Sequence, residues 1–133
     1  MELKKSYKGF VLWMAGYVIA MFACAFLPVD SHLMSKIVIN VCVAGIAVLA
    51  LIIYKTEYIY WYNGVEYKDA VEAGSERRSV YALAHFKRFG LFAVLFLIYT
   101  VASYFFAFHI MVDVLIATIG LVSVAISTNW IEL

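Results

Sequence analysis

Proline, cysteine and charge are all scarce in this chain of 133 residues. It has one proline, Pro28, which is too few for a proline-rich linker. Its two cysteines, Cys24 and Cys42, form neither a disulfide framework nor a C-x-x-C redox motif. Ten Lys and Arg residues stand against nine Asp and Glu residues. Because nucleic acids select strongly basic surfaces, this near-balance of charge indicates no nucleic-acid partner.

Apolar residues are abundant instead, at 66% of the chain with a mean hydropathy of +0.94. Soluble domains are typically about 45–50% apolar, so a small soluble fold could not bury this much apolar surface. Four apolar runs are each long enough to cross a bilayer, namely Phe10 to Leu27, Ile37 to Tyr54, Phe89 to Phe108 and Val112 to Ile131. Since lipid satisfies no backbone polar group, each run is predicted to be helical. The sequence therefore predicts an all-α integral membrane protein, with residues 1–133 as one domain of four transmembrane helices.

The Lys and Arg residues predict how these helices are oriented. If the N-terminus is cytoplasmic, nine of the ten basic residues lie on the cytoplasmic side and only Lys36 lies on the other. Basic residues are enriched in cytoplasmic loops, so both termini are predicted to be cytoplasmic, N-in and C-in. We expect a multi-pass protein of a bacterial cytoplasmic membrane, with the lipid bilayer as its first partner. Small residues at helical spacing in the spans predict close packing, within one bundle or between copies in a homo-oligomer.

Residues 55–88 form the predicted cytoplasmic loop between the second and third helices. Residues 58–67 are rich in strand-forming side chains and contain an Asn-Gly pair typical of a type I′ turn. They are predicted to form either a short β-hairpin or an extension of the second helix. Gly74 is predicted to end a short helix in the left-handed conformation. Ser75 is predicted to be the N-cap of an amphipathic helix that continues into the third span.

The same loop holds the candidate binding site, a set of basic and aromatic side chains. Its members are Arg77, Arg78, Tyr81, His85 and Arg88, with Trp61 earlier in the loop. Arginines can hold a phosphate by paired hydrogen bonds, and His85 can act as an acid or a base. The alternative interpretation is that these residues anchor the bundle at the lipid headgroups, with Glu72 and Glu76 as their ion-pair partners.

A weaker candidate lies on the predicted outer side, where two histidines and two carboxylates occur in the turns. They are Asp30, His32, His109 and Asp113, a set of side chains that suits zinc. The favoured interpretation is that Asp113 is the N-cap of the fourth helix and that the histidines are solvated. We therefore assign neither a metal nor a cofactor.

Motifs that carry chemistry are few. The sequence has no P-loop, no metal-binding carboxylate cluster and no nucleophile paired with a base. It also has no charged residue near the middle of a predicted span, where proton and ion paths place them. We predict a non-enzymatic accessory or immunity-type protein that binds a membrane partner through its cytoplasmic loop. Two alternatives stay open: a homo-oligomeric carrier of lipids or amphipathic small molecules, and an interfacial enzyme acting on a lipid phosphate.

Overall fold

The computed structural model describes residues 2–133, and within them the fold is entirely helical. Its α-helices are Lys8–Cys24 (α1), Ser31–Thr56 (α2), Tyr67–Phe105 (α3) and Ile110–Thr128 (α4). A short 3₁₀ turn, Ile59–Trp61, lies between α2 and α3. No β-strand occurs in the described residues, so the prediction of an all-α protein is confirmed.

Helices α2, α3 and α4 are long and apolar enough to cross a membrane. Helix α1 is also apolar but has only 17 residues. In the most apolar stretches of α2, α3 and α4, only 22%, 17% and 11% of the residues are buried inside the protein. Outward apolar faces of this extent favour contact with lipid over contact with water. By length and composition, these are the helices of a membrane protein.

Short connections arrange the helices up and down. The turns at 25–30 and 106–109 lie at one end of the bundle, which we call the hairpin end. Residues 2–7 and 129–133 lie at the other end, the terminal end, where the Trp61 indole N–H donates to the Ser6 carbonyl at 3.0 Å. Helix α2 is central because it packs against α1, α3 and α4.

Two glycines allow the helices to approach closely. A Cβ atom at Gly45 would lie 2.2 Å from the Tyr17 ring, and one at Gly120 would lie 2.2 Å from the Phe92 ring. Trp13 stacks on Tyr17 with centroids 5.3 Å apart, and its indole N–H donates to the Gly45 carbonyl at 3.1 Å. Large rings on one helix therefore fit against bare backbone on the next, which is a packing mode suited to lipid.

The segment after α2 forms neither of the two predicted structures. The predicted β-hairpin is not confirmed, because the described segment contains no strand. The predicted extension is wrong, because α2 ends at Thr56 where Glu57 adopts a left-handed conformation with φ 59° and ψ 21°. Ile59 and Tyr60 are buried in the core instead of alternating between two faces. The chain does turn at the Asn-Gly pair, with φ 88° at Gly64, but Asn63 lacks the positive φ that the predicted type I′ turn requires.

Helix α3 is broken at Gly74, as predicted. This residue has φ 76° and ψ 166°, a conformation that strains any residue with a Cβ atom. The φ is positive as expected, but ψ lies outside the left-handed helical region. The Ser75 hydroxyl, predicted to cap the following helix, donates to Glu57 Oε1 at 2.7 Å. It therefore joins the start of the long helical stretch to the end of α2.

Candidate functional site

A buried ion pair joins α2 to α4 near the hairpin end, between Lys36 and Asp113. Their side chains are 3% and 0% exposed. The prediction that Asp113 caps α4 is therefore wrong. The helix begins at Ile110 and its N-cap is His109, whose ring nitrogen accepts from the Met111 N–H at 3.2 Å. Lys36 precedes the predicted second span, which begins at Ile37, but in the structure it lies within α2.

The Lys36–Asp113 pair is closed on itself by hydrogen bonds. Beyond its bond to Asp113, the Lys36 ammonium donates to Ser103 Oγ at 2.7 Å and to the Phe108 carbonyl at 2.8 Å. Asp113 Oδ1 accepts from Ser103 at 2.6 Å and from Tyr99 at 2.8 Å. All three ammonium protons have acceptors within the protein, so the cluster fastens α2, α3 and α4 together.

The four predicted zinc ligands do not come together. Asp30 caps α2 by accepting from the Leu33 N–H at 2.8 Å, and His32 stacks on Tyr104 with centroids 5.4 Å apart. Among residues 2–133, no group of three or more His, Cys, Asp or Glu side chains is placed to hold a metal ion.

Arg78 lies at the terminal end and is 3% exposed. Its Nε and Nη2 donate to Glu57 Oε2 at 3.1 and 2.9 Å, and its Nη1 donates to the Ala70 carbonyl at 3.0 Å. The sequence predicted the nearby carboxylates Glu72 and Glu76 as partners and missed Glu57. The guanidinium therefore ties both parts of α3 to the end of α2, and its role here is structural.

Trp61 anchors the N-terminal segment. Besides its bond to Ser6, its ring packs against Phe10 with centroids 5.7 Å apart. Beside it, the Tyr60 hydroxyl donates to the Ser6 carbonyl at 2.9 Å and accepts from the Ser6 N–H at 2.8 Å. The Tyr67 hydroxyl donates to the Leu3 carbonyl at 2.7 Å. This aromatic cluster holds the N-terminus against the turn after α2.

The remaining two predicted arginines bond to backbone carbonyls near the C-terminus. Arg77 donates from Nη2 to the Leu133 carbonyl, and Arg88 donates from Nη1 to the Ser127 carbonyl. The three arginines therefore point to three different sets of partners. They do not converge on one point, as a phosphate-binding cluster requires.

Tyr81 and His85 come together as predicted, and a residue that was not predicted, Tyr62, joins them. The His85 ring stacks on Tyr62 with centroids 4.3 Å apart and lies 4.4 Å from Tyr81. His85 Nδ1 lies 3.0 Å from the Tyr81 carbonyl, which can only accept, so Nδ1 carries the proton and Nε2 is an acceptor. Burial lowers the pKa of His85, which lies before the apolar part of α3, so its imidazole is neutral at pH 7.

These three side chains line a cavity of about 880 Å³ between α2, α3 and α4, which we call the α2–α3–α4 cavity. Its size is typical of small-molecule sites. The polar lining residues lie at the terminal end and are Tyr62, Asn63, Asp69, Tyr81, His85, Thr128 and Asn129. Val65, Ile131 and Leu133 add apolar surface at the same end. Further along the helices the lining is apolar, with Ile46, Leu49, Phe89, Val122 and Ile126. On α2 the lining runs from Ile46 to Ala50, about 6 Å at 1.5 Å per residue.

Tyr62 has an unusual hydroxyl. It is buried and makes no hydrogen bond within the described residues. Burial, together with the neighbouring Tyr81, raises the pKa of the Tyr62 phenol, so the group stays protonated. Leaving a buried hydroxyl without a partner costs about 1–3 kcal/mol. The two stacked rings thus carry one unpaired donor, the Tyr62 hydroxyl, and one open acceptor, His85 Nε2.

Comparison with protein-family profiles, with curated proteins and with solved structures finds no match to this chain.

Replacing one member of the buried pair should destabilise the protein strongly. Lys36→Met leaves the Asp113 carboxylate buried beside an apolar side chain, and we expect a loss of about 3 kcal/mol. The double variant Lys36→Met/Asp113→Leu removes both charges and should recover most of that loss. The free energy of unfolding is measured by circular dichroism during SDS titration of the detergent-solubilised protein. Lys55→Met, at the exposed end of the same helix, is the control. Equal effects of Lys36→Met and Lys55→Met would contradict this role.

The second ion pair, Arg78–Glu57, can be tested with the neighbouring Arg77 as its control. Arg78→Gln removes the bonds to Glu57 and Ala70 and should lower stability by about 3 kcal/mol. Arg77→Gln removes an exposed contact and should change stability by less than about 0.5 kcal/mol. Thermal unfolding in detergent and the rate of proteolysis between residues 57 and 75 measure the difference. Indistinguishable behaviour of the two variants would show that Arg78 does not hold this segment.

Proposed function

We propose that this protein is a four-span membrane protein that binds a lipid or another amphipathic molecule in the α2–α3–α4 cavity, as a carrier or binding protein without a catalytic centre. The supporting observation is the cavity itself, which is polar at the terminal end and apolar further in. A molecule with a polar head and an apolar tail matches that gradient. Water or an ion would give the apolar part of the lining no apolar surface to pack against.

The proposed membrane frame places the terminal end in the cytoplasm. Its support is the bias of nine of ten basic residues toward that end. Helix α1 serves as the fourth span because it is apolar and its Trp13 and Tyr17 rings lie along α2. In this frame His85 lies at headgroup level, and Phe89 begins the lipid-embedded part of α3.

The enzymatic alternative loses its main support in this geometry. A phosphate site requires several cationic side chains aimed at one point, whereas Arg77, Arg78 and Arg88 bond to Leu133, Glu57 and Ser127. Moreover, the rings beside His85 are the phenols of Tyr62 and Tyr81, and burial raises the pKa of both, so neither is activated as a nucleophile. Binding without chemistry therefore fits these side chains better.

A second candidate is the accessory role, in which the loop binds a membrane partner. One observation favours it. Val71 and Val80 on α3 are 47% and 66% exposed, although they precede the apolar part of the helix. They lie among the exposed charges of Lys68, Glu72 and Glu76, a mixture suited to a protein partner.

The cavity hypothesis predicts that the purified protein carries an amphiphile. Ala125 lines the cavity, so Ala125→Trp should lower the amount of co-purified lipid about tenfold, which corresponds to about 1.4 kcal/mol of binding free energy. Ala102→Trp, an exposed position near the hairpin end, should leave that amount unchanged. Lipid is quantified by mass spectrometry after gentle detergent extraction.

Two results of that experiment would count against the cavity. One is an equal lipid content in both variants, and the other is an absence of specific lipid in the wild-type protein. Crosslinking from positions 71 and 80 in the same membranes distinguishes the accessory role from the cavity hypothesis. A crosslinked protein that persists in the Ala125→Trp variant would favour the accessory role.

The proposed orientation predicts which cysteine variants a membrane-impermeant maleimide can reach. In intact cells Ser31→Cys, exposed at the hairpin end, should be labelled, whereas Glu76→Cys, exposed at the terminal end, should be labelled only after lysis. The unmodified protein gives the background from its two native thiols. Labelling of Glu76→Cys in intact cells would show that the orientation is the opposite of the proposed one.

A further inference from the structure

We infer that the molecule held in the α2–α3–α4 cavity has an uncharged hydroxyl head, as in a monoacylglycerol or a long-chain alcohol, and not a phosphate head. This inference rests on the proposed function and specifies the chemical class of its ligand. Three features of the cavity carry it: its charge, the unpaired Tyr62 hydroxyl and the open acceptor of His85.

The charge of the lining disfavours an anion. Of the residues that the structure describes, no Lys or Arg lines the cavity, and the one formally charged residue there is Asp69. A phosphate moved from water into such a site would lose its hydration without gaining a cation, and Asp69 would repel it. Two arginines lie near the lining without being part of it. Arg77 donates from Nη2 to the carbonyl of the lining residue Leu133, and Arg88, which acts electrostatically on His85, donates from Nη1 to the Ser127 carbonyl. A neutral head meets none of these penalties.

Two polar groups carried by the stacked rings of Tyr62 and His85 favour a hydroxyl in particular. Tyr62 has a buried donor without an acceptor, and His85 Nε2 is an acceptor that makes no bond to the protein. A hydroxyl has one proton to donate and lone pairs to accept, so a single hydroxyl suits both groups. A phosphate dianion only accepts, and its oxygens would oppose the Nε2 lone pair. An ester or ketone head would likewise leave Nε2 unsatisfied.

The apolar depth specifies the rest of the ligand. The lining from Leu49 to Ile46 and from Ile126 to Val122 is formed by aliphatic side chains that run along α2 and α4. A single acyl or alkyl chain can lie along this path and continue into the surrounding lipid. The head then stays beside His85.

The test compares two ligands that differ only in the phosphate, 1-oleoylglycerol and 1-oleoylglycerol 3-phosphate. Binding to the full-length protein in detergent is measured by native mass spectrometry with each ligand at the same concentration. We expect 1-oleoylglycerol to bind at least about tenfold more tightly than its phosphate. Equal binding, or tighter binding of the phosphate, would overturn the inference and leave the proposed function intact. Binding of neither would overturn both.

Tyr62→Phe removes one oxygen atom and tests the named contact. We expect about fivefold weaker binding of 1-oleoylglycerol, as one lost hydrogen bond implies. The thermal midpoint of the unliganded variant should not fall, because the removed hydroxyl makes no bond within the described protein. Tyr58→Phe, in the same segment but outside the cavity lining, is the control and should bind like the wild type. Unchanged affinity in Tyr62→Phe would remove this hydroxyl from the site and overturn the inference.

Discussion

A charged side chain that is buried among the helices must find a partner within the protein, because neither lipid nor an apolar core supplies one. This constraint produces two clusters, one near each end of the bundle. Lys36 and Asp113 join α2 to α4 near the hairpin end, and Glu57 and Arg78 join α2 to α3 at the terminal end. Between them the helices meet through rings set against glycine, as Tyr17 is set against Gly45. Among residues 2–133, no charged side chain lies in the middle of the bundle.

The two clusters also explain where the cavity lies. Helix α4 is fixed to α2 by a buried ion pair only near the hairpin end. At the terminal end it is held to α3 by arginine bonds to backbone carbonyls at Ser127 and Leu133. Those contacts lie at the level of the headgroups in the proposed frame, and the space between α2 and α4 is left open beneath them. The cavity therefore opens at the end where α4 lacks a charged partner on α2.

Local features of this fold were predictable from the sequence, and long-range pairings were not. The helices, the turn at the Asn-Gly pair and the break at Gly74 follow from apolar run length and from glycine conformation. Lys36 and Asp113 are 77 positions apart, and nothing local links them. The sequence did contain a signal. Lys36 is the one basic residue on the predicted non-cytoplasmic side, and Asp113 lies at the start of an apolar run, so the two suit a buried ion pair. Glu57 gave no comparable signal. It reaches Arg78 because it adopts a left-handed conformation at the end of α2, which the sequence does not reveal.

Only the local part of the candidate site was predictable, because its other contacts join distant segments of the chain. Helical spacing brings Tyr81 and His85 together, but the phosphate-binding interpretation assumed that the arginines were unpaired. Their partners come from distant segments, which spacing cannot reveal. Tyr62 was missed because its segment was assigned to a hairpin or a helix. In the proposed function its hydroxyl bears on the chemistry of the site, since an unpaired buried donor costs about 1–3 kcal/mol in the empty protein. An apolar tail would recover none of that energy, whereas a head that accepts this hydrogen bond would, so we expect recognition of the head to depend on this contact.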